Sequence, residues 1–181
     1  GAGAPPPPPG FTRGELQRLL LLVLQGLGRH AELLLAPQAP AAAADLVPAI
    51  CGLLVDESGD TRANAVSLLR LVLPGLINEQ MEATGAGVRQ PAGNSATGVF
   101  VQGLLPLCGG LVADRDPIPQ FTLALLLDVA FVYPGFSAAI SDAGVVPGIM
   151  AAAQSHDSPK LGALAQQITD LVAAHEHVRR P

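Results

Sequence analysis

The chain has 181 residues, enough for one domain with its own core. Hydrophobic residues make up 49% but charged residues only 14%, against about 25% in ordinary globular domains. So few charges cannot coat an isolated globule, and some apolar surface is expected to be covered by something else. The balance is acidic, 15 Asp and Glu against 10 Lys and Arg, with five Phe, one Tyr and no Trp. Such a chain lacks both the basic surface that phosphate binding demands and the aromatic platforms that stack bases, which argues against a nucleic-acid partner.

In chain order, residues 1–11 read as a Pro-rich linker, with Pro5–Pro9 a polyproline II spacer. The start has no initiator Met and no basic leader, so the sequence reads as a piece of something longer. Thr12-Arg13-Gly14-Glu15 is a capping box. It opens a helix whose apolar stripe is Leu16, Leu19, Leu20, Val23, Leu24 and Leu27. A second amphipathic helix is predicted from near Asp60, with Ala65, Leu68, Leu69 and Val72 inward. A third starts at Asp116-Pro117, read as an N-cap followed by Pro in the first turn, with the stripe Ile118, Phe121, Leu125, Val129 and Val132. The last runs from about Ser158, with Leu161, Leu164, Ala165, Ile168, Leu171 and Val172 inward. No segment sustains period-two alternation, so no sheet is predicted. The apolar stretch Val99–Ala113 is too short and too broken by Gly103, Pro106, Gly109 and Gly110 to span a membrane.

Between these helices a repeat emerges. Leu46-Val47-Pro48-Ala49-Ile50-Cys51 matches Leu104-Leu105-Pro106-Leu107-Cys108 and Val145-Val146-Pro147-Gly148-Ile149-Met150. Each has two apolar residues, a Pro suited to a first helical turn, then an apolar helix, a polar turn and a long amphipathic helix. The prolines are spaced by 58 and 41 residues, and the excess equals the 17 residues of Glu82–Gly98. That stretch is low in complexity and reads as a disordered surface insertion. The predicted fold is therefore all-α, a right-handed α-solenoid of about three armadillo-like repeats. The parts are a partial repeat at 12–44, repeats at 45–81, 99–134 and 135–175, the insertion at 82–98, and a tail at 176–181. One such unit cannot bury both apolar faces alone, so neighbours stack into a continuous core.

Ala139–Met150 resembles the armadillo signature, in which a short helix ends at Ala-Gly and the next begins at an apolar-Pro step; Gly144 suits a corner with positive φ. Asp45–Leu71 resembles the second and third helices of the same unit, and the likeness to armadillo and HEAT repeats covers about residues 13–175. Asp116, Pro117, Pro119, Phe121 and Leu123 are similar to a pattern in the C-terminal repeat region of Fused-type serine/threonine kinases and their ULK-family pseudokinase relative. The resemblance implies a scaffold tail acting in Hedgehog-type signalling, cytokinesis or assembly of the ciliary central apparatus, in the cytoplasm or at the cilium axoneme. It also implies a groove lined by the long helices, with one polar position per repeat meeting a partner. The equivalents are Gln25, Arg70, Asp128 and Asp170. Asp128 stands out because a carboxylate inside the apolar run Leu123–Tyr133 must face water or a partner.

Catalytic chemistry finds no footing. No kinase signature occurs: there is no Gly-rich loop before a Val-Ala-x-Lys, no His-Arg-Asp and no Asp-Phe-Gly. Gly85-Ala86-Gly87 follows no strand and lacks the third Gly of a dinucleotide loop. His175 and His177 diverge on a helix and cannot share a metal. Asp56, Glu57 and Asp60 fail the spacing of a calcium loop, and Ser137 and Ser141 have no base nearby in sequence. His30 suits a helix end and His156 a polar turn, while Cys51 and Cys108 read as reduced core residues. The reading is a non-catalytic protein-interaction scaffold without cofactor or metal, its partners being proteins and adjacent repeats. The alternatives are a cis-regulatory kinase tail and a carrier of apolar ligands.

Overall fold

The structure is a computed structural model that describes residues 47–84 and 95–179. The predicted helix after Thr12, the linker, Gln25 and His30 lie outside the described residues. Among those described every regular element is helical and no strand occurs. Residues 47–52 form α1, which tightens into a 3-10 turn at Leu53–Val55. Helix α2 is Gly59–Thr84, α3 is Ala96–Val112, α4 is Ile118–Val132, α5 is Phe136–Ala143, α6 is Val146–Ser155 and α7 is Pro159–Arg179.

The long helices α2, α4 and α7 lie side by side, with α4 between the other two. Behind them runs a second row: Leu53–Val55 packs on α2, the end of α3 on α4, and α6 on both α7 and the end of α3. Two rows of helices stacked in chain order make an α-solenoid. Each long helix buries a stripe that its neighbours close: Leu69, Leu73 and Ile77 on α2, Leu123, Leu126 and Val129 on α4, Ala165, Ile168 and Val172 on α7. Phe100 from α3 sits in this core, stacked on Phe136 with ring centres 6.0 Å apart and edge-on to Tyr133 at 6.1 Å. Such pairs add directional preference to plain burial.

Gly144 ends α5 at φ 63°, and α6 follows at 81° to it, with Pro147 in its first turn. Gly103 stands three residues before Pro106, the same offset, yet makes no corner. Helix α3 passes through Gly103 as a π-helical stretch, Val99–Leu104, and through Pro106 as a 3-10 turn, Leu105–Leu107. Unlike Gly144, Gly103 has no positive φ, and a Cβ there would lie 3.5 Å from Val99 Cγ1 and 3.8 Å from Cys51 Cβ and Sγ, ordinary contact distances, so neither a corner nor a close approach requires this glycine.

Three expectations need correction. Helix α4 begins at Ile118, with Pro117 at the cap position and no side-chain cap, so Asp116 does not serve as N-cap. Phe121 and Leu164 are only half-buried, and Leu171 is exposed, because the stripes of α4 and α7 are narrower than the periodicity suggested. The insertion is shorter than 82–98: α2 continues to Thr84, and Ser95 caps α3 by accepting from Gly98 N–H at 3.0 Å. The interior of that stretch, with Gly85 and Gly87, lies outside the described residues.

Candidate partner-binding face

Of the four predicted groove positions, the structure joins two. Arg70 and Asp128 lie 58 residues apart but at one level on adjacent helices α2 and α4, and Arg70 Nε donates to Asp128 Oδ2 at 2.6 Å. Both side chains are more than a third exposed, at 44% and 38%, so solvent screens the pair and it contributes ~0.2–1 kcal/mol at most. Asp128 thus faces the surface, as a carboxylate in an apolar run must, but one oxygen is already bonded within the chain. Asp170 stands apart from them. It accepts from Gln166 Nε2 at 2.8 Å, one turn earlier on α7.

Apolar side chains accompany these polar positions. Phe131 on α4 is 88% exposed, and Leu71 on α2 and Leu171 on α7 are 45% and 44% exposed. Sequence reasoning passed over Phe131: it stands three residues after Asp128, but Leu125 stands three residues before Asp128 and is buried, so the helical offset alone does not single out the exposed ring.

A second polar system ties the inter-helix turns together. Arg62 in the first turn of α2 grips Asp114, in the turn before α4, through Nε at 2.7 Å and Nη2 at 3.0 Å. Its Nη1 donates to the carbonyls of Asp56 at 2.6 Å and Glu57 at 3.1 Å. The Arg62 fork holds the Asp114 carboxyl below the usual carboxylate range, and burial opposes it only in part. Arg115 reaches back to Asp60 at 3.3 Å. In the following turn, a ring nitrogen of His156 (Nε2) lies 2.7 Å from the Val112 carbonyl at the end of α3. Of the acidic residues in this turn, Asp56 accepts from Ser58 N–H at 2.9 Å and Asp60 pairs with Arg115, while Glu57 contributes its backbone carbonyl to Arg62.

Burial pushes the thiols up, Cys51 to about 11 and Cys108 to about 12. Both remain protonated at neutral pH, unsuited to nucleophilic or metal chemistry. Ser137 donates to the Leu171 carbonyl at 3.3 Å, a link between α5 and α7 rather than a catalytic pair. Among the described residues no group of three His, Cys, Asp or Glu side chains could hold a metal ion. The side chains of His175 and His177 lie outside the description. Likewise no single described helix is long and apolar enough to cross a membrane.

Two rows of stacked helices, closed by one another's apolar stripes and presenting a mixed polar and apolar face, define an α-solenoid of helical repeats. The family of HEAT repeats of ULK4-like serine/threonine-protein kinases matches residues 10–137. The chain belongs to that family. No curated protein sequence matches it. The match falls on a repeat region, in keeping with a sequence that carries no kinase signature.

Proposed function

We propose that this chain is a non-catalytic scaffold whose long-helix face docks other proteins. HEAT repeats generally mediate protein interactions, and the observation that carries the reading here is the face around Arg70 and Asp128. It combines a solvent-exposed ion pair with an aromatic ring left in water on a helix otherwise packed into the core. Exposed apolar anchors rimmed by polar groups are the usual composition of a docking surface. Gln25, Arg70, Asp128 and Asp170 are the polar positions assigned to this face, with the ladder now centred on the Arg70–Asp128 pair. The carrier of apolar ligands is the weaker reading, since neighbouring helices close the apolar stripes on each other.

The family's name also supports a cis-regulatory role beside a kinase or pseudokinase domain in the parent protein. The likeness of Asp116–Leu123 to Fused-type tails supports a place in Hedgehog-type signalling or ciliary central-apparatus assembly, in the cytoplasm or at the axoneme. Proximity labelling from the full-length parent in ciliated cells tests this. Labelled axonemal or Hedgehog-pathway proteins, lost with an Asp128→Lys and Phe131→Ser double variant, are expected. An unchanged set of labelled proteins would contradict the scaffold role of this face.

A further inference from the structure

We infer that the patch around Phe131 receives a partner segment presenting an arginine or lysine beside an apolar side chain. This rests on the scaffold reading and names the partner's chemistry. Phe131 lies in the last turn of α4 and is almost wholly in water. Leu127, one turn earlier, is half-buried. Leu71 adjoins Arg70 on α2 and Leu171 adjoins Asp170 on α7, both exposed, so each long helix offers an apolar side chain beside its polar position. Closing these off from water favours an apolar occupant.

The charge around them selects its sign. The cations of residues 47–82 and 95–174 are Arg62, Arg70, Arg115 and Lys160. All three arginines are already paired, with Asp114, Asp128 and Asp60 respectively. Beyond the Arg70 level α2 carries Glu79 and Glu82, while α7 presents Asp170. The last turns of α2 and α4 hold no basic residue to offset the partial negative charge of those helix ends. Among the described residues of this face the acidic side chains outnumber the basic ones, Asp128, Asp170, Glu79 and Glu82 against Arg70, which favours a positive charge on the occupant. The exposed ring supplies a further attraction, because the negative π-face of Phe takes a cation within about 6 Å. A planar guanidinium that can stack suits it better than an ammonium. A second copy of this chain is the poorer occupant, since it would bring the same acidic surface, from a protein of net charge −5.

Short fluorescein-labelled peptides of alternating Arg and Leu, and counterparts with Glu in place of Arg, test this by anisotropy at physiological ionic strength. The Arg–Leu peptide should bind, and Phe131→Ser should weaken it about fivefold or more, the loss of an aromatic anchor and its cation contact. Val55→Ser, which removes an exposed apolar side chain elsewhere, should leave binding unchanged. Circular dichroism of Phe131→Ser should match the parent because the ring packs on little. No binding of the Arg–Leu peptide, or equal binding to Phe131→Ser, overturns the proposal. Phe131-dependent binding of the Glu–Leu peptide alone overturns the charge assignment and leaves the scaffold reading standing. Binding of either peptide that is indifferent to Phe131→Ser, Leu71→Ser and Leu171→Ser overturns both.

Discussion

Asp128 and Leu125 stand three residues apart on α4, and one turn of helix separates opposite fates. Leu125 is fully buried, so Leu125→Asp would place a lone charge in the core and cost ~3 kcal/mol or more, unfolding that part of the stack. Asp128→Lys instead sets two cations side by side at a screened surface. It should cost about 1 kcal/mol or less and leave the far-ultraviolet circular dichroism intact, while weakening partner capture. Urea titration of both variants checks the contrast, and equal losses would contradict the facing of α4. Arg62 lies between these extremes. Arg62→Met leaves Asp114 and two carbonyls without their donor, and a loss of ~1–3 kcal/mol is expected. Because Arg62 lowers the folded-state pKa of Asp114, that pair's contribution is present above the unfolded carboxylate value, about pH 4. It fades as pH falls through the lower folded value. The gap between parent and Arg62→Met should therefore narrow below about pH 4 to the share held by the two carbonyls, and a constant gap down to pH 2 would contradict the pairing. The orientation of Asp128 was readable from sequence, since a carboxylate cannot stay in an apolar run unless it turns outward. Its partner was not readable, because the contact depends on how α2 and α4 register across 58 residues.

Element by element, the long helices among the described residues sit where apolar periodicity put them, since burying a stripe is what makes a helix of this composition stable. Gly144 was legible for a local reason: the Ala-Gly step before an apolar-Pro pair demands a sharp corner, and φ is 63°. Gly144→Ala should cost ~1 kcal/mol, seen as a lowered Tm, because a Cβ is disfavoured in that region whatever the space around it. The equivalent offset at Gly103 misleads, since there the backbone stays helical through Val99–Leu104 and lacks the positive φ that turns the chain at Gly144. Another local rule is broken in α2, which continues through Pro74; that residue has no N–H for the Arg70 carbonyl four residues earlier. Packing of Leu73, Leu76 and Ile77 around it outweighs the lost bond.

For the whole molecule, the apolar excess and the repeat spacing pointed to stacking, and the order α2, α4, α7 realises it. What composition could not show is which apolar residues stay outside. Phe131 and Leu171 look like core residues by type, yet both are exposed once the helices have packed. If neighbouring helices supply the cover that no repeat has alone, stability must be shared between repeats. Hydrogen exchange on the native chain carrying Leu126→Ala, a cavity in the middle helix, measures this directly. The account predicts that amide protection falls in α2 and α7 together with α4. Protection lost in α4 alone, with α2 and α7 unchanged, would contradict it.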